Sequence, residues 1–581
     1  MAIELTTTHG AVRLDEGGRV SVLAASGAAA VAGDGVGADL VRAVLGGSGG
    51  VSGGVSGGVV SAVGRWEVER FGRGSEVSVP AVAEVPAIPS IAGVERALGV
   101  DMTNWAVVVD ETWIVKVALS WGGMSRAIGQ LERLAAGGSE LTPRPVGRIE
   151  WEVPGLGCAA VALVTELMPG AADGWTWAVE DVLEWLAAED AAGVAADAAG
   201  AAVDAAGVAA DAAVAAAAGA GAGAGRSVPV PVPEWPEVLG RMTAELHLVL
   251  AAGAASALPG TASALPGTAS ALPGAAALGA EIGLEAAAGG LRERILSRLD
   301  QALEVLDGEA LSRLRRREGA LREIVAAAPD TAGGVRFPVH GDLHVGQFLR
   351  STVGGVHRYA IVDFDGDPQH PDASTAASAT DVAAVDLAHL LVSVDLVGSV
   401  VQKRLGRRDE RVLRWAESAR AALQSAYALG LREGVGRGTD GGASGDTDGG
   451  GAGETDGGAA GGSDCGGAGE ADGDAAGGSD GDAARETAGH AAGGTAGGAA
   501  EPASAGAAGR GVPEAIVAEM LDPRVIAALE VEQFARELLY ARRYLPRWEY
   551  APDGALSARY SPPSDADDEE SPWTPPGSVT T

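Results

Sequence analysis

Phe337-Pro-Val-His-Gly-Asp-Leu-His-Val-Gly-Gln-Phe-Leu349, followed by Tyr359-Ala-Ile-Val-Asp-Phe-Asp-Gly366, is the stretch from which the rest of this chain can be read. Each half contains an apolar run, and the link Ser351-Thr-Val-Gly-Gly-Val-His-Arg358 has the polar, glycine-bearing character of a hairpin. The pattern predicts two functional loops joined by two short strands. Asp342 in the first loop is a candidate general base: an alcohol hydroxyl is a very weak acid, so the carboxylate orients it and accepts its proton late. Gln347, five residues on, offers a neutral amide oxygen. Asp363 and Asp365 offer hard anionic oxygens, the kind magnesium prefers when it bridges phosphates. Gly341 and Gly346 leave room for backbone turns beside phosphate oxygens. Alone, Asp-Phe-Asp-Gly reads as a turn after a strand, and His-Gly-Asp says little. In this order and spacing they point to phosphoryl transfer, whose loose transition state asks mainly for positioning and charge neutralisation. His340 and His344 fit either a loop-fixing hydrogen bond or contact with a ligand.

His340-Gly-Asp-Leu-His-Val-Gly-Gln347 with Val362-Asp-Phe-Asp-Gly-Asp-Pro368 resembles the aminoglycoside-phosphotransferase/maltokinase group of eukaryotic-kinase-like enzymes. Within that group it is similar to the actinobacterial glucosamine kinases, whose metal motif resembles Asp-Phe-Asp-Gly. Maltokinases look more like Asp-Phe-Glu-Gly-Glu-Pro at that place, and Asp365 is the ground for the choice. The resemblance covers most of the chain outside its low-complexity tracts, but only these two motifs are specific. It implies an α+β, two-lobed protein-kinase-like fold, with a strand-rich N-lobe, a helical C-lobe, a small N-terminal cap subdomain and disordered insertions. It implies ATP as phosphoryl donor, Mg2+ as cofactor, D-glucosamine as acceptor and D-glucosamine 6-phosphate as product. The alternatives are a maltokinase making maltose 1-phosphate, an aminoglycoside phosphotransferase, and a pseudokinase scaffold whose acidic tracts recruit partners.

At 581 residues the chain has length for two or three domains, although alanine-glycine filler reduces the mass that can fold. The formal charge of −36 disfavours nucleic acid, which needs a basic footprint, and equally an anionic membrane surface. Much of the acid lies in low-complexity segments, so it speaks to solubility more than to substrate. Cys158 and Cys465 are the only cysteines, and Cys465 sits in a Gly/Asp-rich tract. Neither a disulfide nor a cysteine metal site is expected, in keeping with a reduced cytoplasm. The N-terminus lacks the basic start and apolar core of a signal peptide. The alanine-rich run around 186–224 carries Glu189, Asp190, Asp197, Asp204 and Asp211, and does not read as a membrane span. The expectation is a cytoplasmic monomer acting on small molecules.

Residues 1–90 read as the cap: short apolar runs such as Arg19-Val-Ser-Val-Leu23, interrupted by Gly-Gly-Val-Ser repeats within 47–58. Residues 91–170 read as the nucleotide-binding N-lobe. Thr112-Trp-Ile-Val-Lys-Val-Ala118 is an apolar strand with one lysine inside it. An ammonium is costly to bury there unless it meets a phosphate or a carboxylate. Lys116 is therefore the candidate nucleotide-phosphate lysine, against an edge-strand lysine reaching water. Asp101-Met-Thr-Asn104 stands where a glycine-rich loop would be, with Thr103 and Asn104 as phosphate contacts or plain turn residues. Glu132, in a helical segment, either pairs with Lys116 or faces solvent. Ala160–Pro169 reads as a strand leading to a hinge, where adenine would bond the backbone near Glu166, Leu167 and Met168 while Met168 packs on its ring.

Residues 171–552 read as the helical C-lobe carrying both loops, with low-complexity insertions at 187–227, 251–290 and 434–511 and a disordered tail at 553–581. The copies of Ala-Ser-Ala-Leu-Pro-Gly from 255 onward cannot form one helix, because each carries Pro-Gly. Segments 235–250 and 291–327 show helical spacing and are expected to pair with each other. In related kinases an aspartate opening the helix after the metal loop braces the catalytic loop. Asp386 is the candidate, Asp381 the alternate, and a plain N-cap the plainer reading. Ala528–Trp548 resembles the C-terminal helix of maltokinases and glucosamine kinases, which helps line the acceptor pocket. On it Glu532 or Gln533, Arg536 and Tyr540 lie about one turn apart. Glu532, Gln533 and Arg536, with Asp342 and His344, make the candidate substrate-binding set. An amino sugar's ammonium pairs well with a desolvated carboxylate, for which Glu532 is the candidate, against a surface glutamate.

Overall fold

Short β-branched runs punctuated by glycine form β1 (Ile3–Thr7), β2 (Gly10–Leu14) and β3 (Val20–Ala24), followed by α1 (Val36–Gly46) and β4 (Val59–Ala62). These strands make an antiparallel sheet in the order β3-β2-β1-β4. The computed structural model describes residues 3–46, 59–62, 65–71, 91–98, 104–210, 232–256, 290–330, 336–366, 380–434, 517–518 and 520–560. The Gly-Gly-Val-Ser repeats, Thr103, the segments 211–227, 257–289 and 435–511 of the expected insertions, and 561–581 of the expected tail lie outside them, while 553–559 of that tail is helix and largely buried, a correction to the disordered reading. All described residues belong to one compact unit.

A second sheet of six antiparallel strands follows: β5 (Arg65–Arg70), β6 (Glu95–Ala97), β7 (Asn104–Val109), β8 (Trp113–Ala118), β9 (Pro145–Val153) and β10 (Gly157–Glu166). Its order is β5-β9-β10-β8-β7-β6. The first strand pairs with β9, so 65–70, read from the sequence with the N-terminal segment 1–90, is the edge strand of this six-stranded sheet. Helix α1 packs against both sheets, and Leu5, Val12, Leu40 and Val44 share one core with Val107, Val115, Ile149 and Trp151. Alternation along β8 buries Trp113, Val115 and Val117 in that core and turns Ile114 and Lys116 to the opposite face. Between β8 and β9 runs α2 (Ser125–Ala136).

The second lobe is helical: α3 (Gly174–Ala210), α4 (Trp235–Ser256), α5 (Leu291–Val305), α6 (Gly308–Ala327), α7 (Ala384–Leu405), α8 (Glu410–Glu433), α9 (Pro523–Tyr544) and α10 (Tyr550–Arg559). Helix α3 continues through Ala210, so the expected insertion at 187–227 begins as helix; alanine is the best helix former and nothing in 187–210 breaks the run as proline would. The stretch 291–327 is two helices, broken where Gly308 takes φ +58. Its first half packs on α9, while α4 packs on α8, so the expected pairing of 235–250 with 291–327 is corrected. Gly240 lies so near the Leu423 carbonyl that a Cβ would sit 2.3 Å from it, which lets α4 and α8 approach closely. Helix α7 is long and apolar enough to cross a membrane by composition, and here it is buried along most of its length by α8, α9 and α10. Four short strands set the loops: β11 (Arg336–Pro338) pairs with β14 (Thr380–Val382), and β12 (Phe348–Val353) forms a hairpin with β13 (Val356–Ile361).

Candidate active site

The loop 339–347 leaves β11 and must place its backbone polar groups before it can offer a side chain. Asp386, fully buried in the first turn of α7, accepts the N–H groups of His340 and Gly341, each at 2.7 Å. It also meets His247 of α4 at 3.0 Å, and that ring meets the Tyr427 hydroxyl at 2.8 Å. Burial opposes the charge of Asp386, but the His247 bond and charge and the Gly341 N–H outweigh it and hold the carboxyl at about 2. Ser393 Oγ accepts the N–H of Val345 at 2.9 Å. From the other lobe, Arg126 and Gln130 of α2 donate to the Val339 carbonyl, both at 2.7 Å, and Arg126 reaches the His340 carbonyl at 3.0 Å. Gly341 has φ +83, and a Cβ there would lie 2.2 Å from Arg126 Nη2. With the backbone held between α2 and α7, the Asp342 side chain stays one-fifth exposed. Arg536 Nη2 lies 3.7 Å from Oδ1 and His344 Nε2 3.9 Å from Oδ2. Of the two brace candidates it is Asp386 that lies under the loop; Asp381 pairs with Arg294 at 3.2 Å and Arg336 at 3.1 Å.

The β12–β13 hairpin returns the chain to the second loop. Val362 N–H donates to the Gln347 carbonyl at 2.9 Å, and His340 Nε2 donates to the Val362 carbonyl at 3.0 Å. Asp363 then adopts φ +67, a left-handed conformation uncommon outside glycine and typical of functional loops. Its Oδ1 lies 3.0 Å from Lys116 Nζ, and its Oδ2 lies 3.4 Å from the side-chain amide of Gln347. Burial raises the cost of its charge; the Lys116 ammonium more than compensates and keeps the carboxyl below its ordinary range. Asp365 accepts from Asn104 Nδ2 at 2.7 Å, tying this loop to the start of β7. Glu132 pairs with Arg148 of β9, and Lys116 reaches Asp363 instead.

Magnesium takes hard oxygen ligands and leaves several positions to water and phosphate. The Asp363 carboxylate and the Gln347 amide are donors of that kind, adjacent and facing one another. Among the described residues no group of three or more His, Cys, Asp or Glu is placed to hold a metal.

His344 caps the short 3-10 turn Val345–Gln347 by accepting the Gly346 N–H at Nδ1, 3.1 Å away. Its ring stacks on Trp175 at 5.6 Å between centroids. Burial, with His340 as a second cause, pushes its pKa down to about 4, so it is neutral at pH 7. At the hinge, the N–H of Glu166 donates to the Arg144 carbonyl at 2.9 Å and that of Leu167 to the Thr112 carbonyl at 2.7 Å. Those two N–H donors are spent within the protein. On α9, Arg536 Nη1 donates to His389 Nε2 at 2.6 Å. Burial and the Arg536 charge push His389 well below the usual histidine range. Gln533 donates to Glu537 at 2.8 Å. Glu532, the candidate partner for an ammonium, has its Oε2 paired with Arg294 at 3.0 Å. Sequence reasoning missed His389, Arg126 and Gln130. The available signals were a histidine one turn after Asp386 and an Arg/Gln pair one turn apart on α2.

No family model matches the chain. A curated glucosamine kinase of Streptacidiphilus jiangxiensis is 30% identical over 338 residues, which are 57% of this chain and 61% of that protein. The chain thus matches less than two thirds of that relative's length. A curated glucosamine kinase of Mycolicibacterium smegmatis is 28% identical over 465 residues, 80% of this chain and 79% of that protein. A solved glucosamine kinase in complex with glucosamine, ADP and inorganic phosphate superposes with TM-score 0.53 and 22% identity, covering 94% of this chain and 91% of that one. A second crystal form gives TM-score 0.51 at 23% identity, covering 94% and 90%. The chain therefore shares the fold of solved glucosamine kinases, and the resemblance to the actinobacterial glucosamine kinases carried by its two motifs is shown by curated relatives of that name.

Proposed function

We propose that this chain is a magnesium-dependent kinase that transfers the γ-phosphoryl group of ATP to the 6-hydroxyl of D-glucosamine. The observation that carries the reading is the convergence of Lys116, Asp363 and Gln347 beside the Asp342 loop, in a chain similar to proteins named glucosamine kinase. The Lys116 ammonium, held by Asp363, is set to meet nucleotide phosphate. Asp342, with its backbone fixed through Asp386, orients the acceptor hydroxyl and takes its proton as the new O–P bond forms. Arg536 stands beside Asp342 on the acceptor side. Asp363, Gln347 and, from the same loop, Asp365 would hold the cation, which neutralises charge on the phosphates when bound. The hinge around Met168 would receive adenine. Because the donor is ATP and the acceptor a small sugar, we place the enzyme in the cytoplasm.

A coupled ADP-release assay with glucosamine, maltose and kanamycin, run on the wild type and on Asp342→Asn, tests this. Turnover with glucosamine, with phosphate on the 6-position by NMR and a kcat loss of roughly 10²–10⁴ in the variant, is the expected result. Turnover with maltose alone would overturn the acceptor, and equal activity of the two proteins would overturn the role of Asp342.

A further inference from the structure

The side-chain amide of Gln347 has an oxygen end and a nitrogen end of nearly the same shape, and hydrogen bonding decides which faces inward. As placed, its nitrogen lies 3.3 Å from His344 Nε2 and 3.4 Å from Asp363 Oδ2. The state of His344 can be read from its other nitrogen. The backbone N–H of Gly346 is a donor and nothing else, and it points at Nδ1 from 3.1 Å. Nδ1 therefore carries the lone pair, and the ring proton sits on Nε2. An Nε2–H facing an amide NH2 at 3.3 Å is two donors without an acceptor. Asp342 Oδ2, at 3.9 Å, is beyond hydrogen-bond reach of Nε2.

Turning the amide half a turn about its last bond removes the conflict. The Nε2–H then donates to Gln347 Oε1, and Oε1 faces Asp363 Oδ2. Two oxygens at that separation repel unless a cation lies against both. Lys116 already engages Asp363 through its other oxygen, so Oδ2 is the one turned to the amide. Trp175 stacks on the imidazole and the Gly346 N–H fixes its rotation, so the donor is rigid. We infer that His344 is a positioning residue: its Nε2–H orients Gln347 so that the amide presents oxygen, not nitrogen, to a divalent cation shared with Asp363. This rests on the kinase reading of the site and gives His344 a task different from the acceptor contact the sequence suggested.

Mn2+ binding to the full chain in the presence of ADP, followed by electron paramagnetic resonance of free Mn2+, tests it on wild type, His344→Asn, Gln347→Ala and the double variant. Asparagine keeps an acceptor for the Gly346 N–H but is too short to reach Gln347, so it separates capping from donation. ADP binding measured in EDTA reports whether each variant is folded, and His344→Gln, which keeps a donor at the Nε2 end but not the Nδ1 acceptor, is expected to hold its Mn2+ affinity. Mn2+ affinity is expected to fall roughly 10–100-fold in His344→Asn, by a similar factor in Gln347→Ala, and no further in the double variant. Unchanged Mn2+ affinity with a raised KM for glucosamine would overturn the inference in favour of acceptor contact. Additive losses in the double variant would overturn it as well. A wild type that binds neither ADP nor Mn2+–ADP would sink the kinase reading itself, and the inference with it.

Discussion

In the proposed reaction Asp342 takes a proton late and so has to be held without being neutralised, and around it the holding is done through the backbone. Asp386 carries that load: one buried charge receives two loop N–H groups and a histidine. Replacing it with alanine leaves those donors unmatched, and the expected cost is about 3–5 kcal/mol, read as a lower urea midpoint at unchanged slope, with kcat falling alongside. Its carboxyl titrates at about 2 in the fold, below the roughly 3.9 of an unfolded aspartate. The stability it supplies is thus complete above about pH 4 and is lost as pH falls toward 2. Urea midpoints measured across that window should fall in the wild type and stay flat, from this group, in Asp386→Asn. Asp342, Gln347, Asp363 and Lys116 were legible in the sequence because local spacing or a cost of burial marked each one. His389, Arg126 and Gln130 were not, since their partners are a distant arginine and two carbonyls that only folding brings near.

Helices α7, α8 and α9 meet around a second buried charge group remote from the loops. Arg420 of α8 lies 2.8 Å from Asp395 of α7 and 2.6 Å from Glu530 of α9. Arg420 serves both enclosed carboxylates, with Arg559 3.7 Å from Glu530 beside it, and burial, opposed by Arg420 and seconded by Glu530, pushes the Asp395 carboxyl up to about 6. A raised carboxyl means the folded chain binds the proton more tightly than the unfolded one. This group therefore lowers stability progressively as pH rises from about 4 to about 6, by up to about 3 kcal/mol. Asp395→Asn is expected to have a higher urea midpoint than the wild type at pH 8 and to converge with it near pH 4. Equal midpoints at pH 8 would show the aspartate to be fully compensated. Such packing was hidden at the level of helical periodicity, which shows an apolar face but not its partner. That is why α4 was expected on 291–327 and is found on α8, where Gly240 and Gly430 thin the interface.

Across the whole molecule, the strand-rich and helical halves touch the site through few side chains: Lys116 to Asp363, Asn104 to Asp365, and Arg126 with Gln130 to the first loop. A ligand gripping both halves should stabilise the fold as a unit. ADP with magnesium at a hundred times its Kd is expected to add about 2.7 kcal/mol, visible as a rise in Tm by calorimetry, and Asp363→Asn should abolish the magnesium-dependent part of that rise. The division into halves was legible because alternation gives way to helical spacing after residue 170; the membership of 65–70 was not, because strand pairing with β9 is set by contacts far along the chain. Arg126 adds a consequence of its own. Its guanidinium lies against Gly341 in one loop and Gly366 in the other, where a Cβ would come within 2.2 and 2.9 Å of it. Anyone re-engineering this protein for a new acceptor cannot tune the two loops separately while that arginine stays, and positions 126, 341 and 366 are best carried into any redesign as a single inherited block.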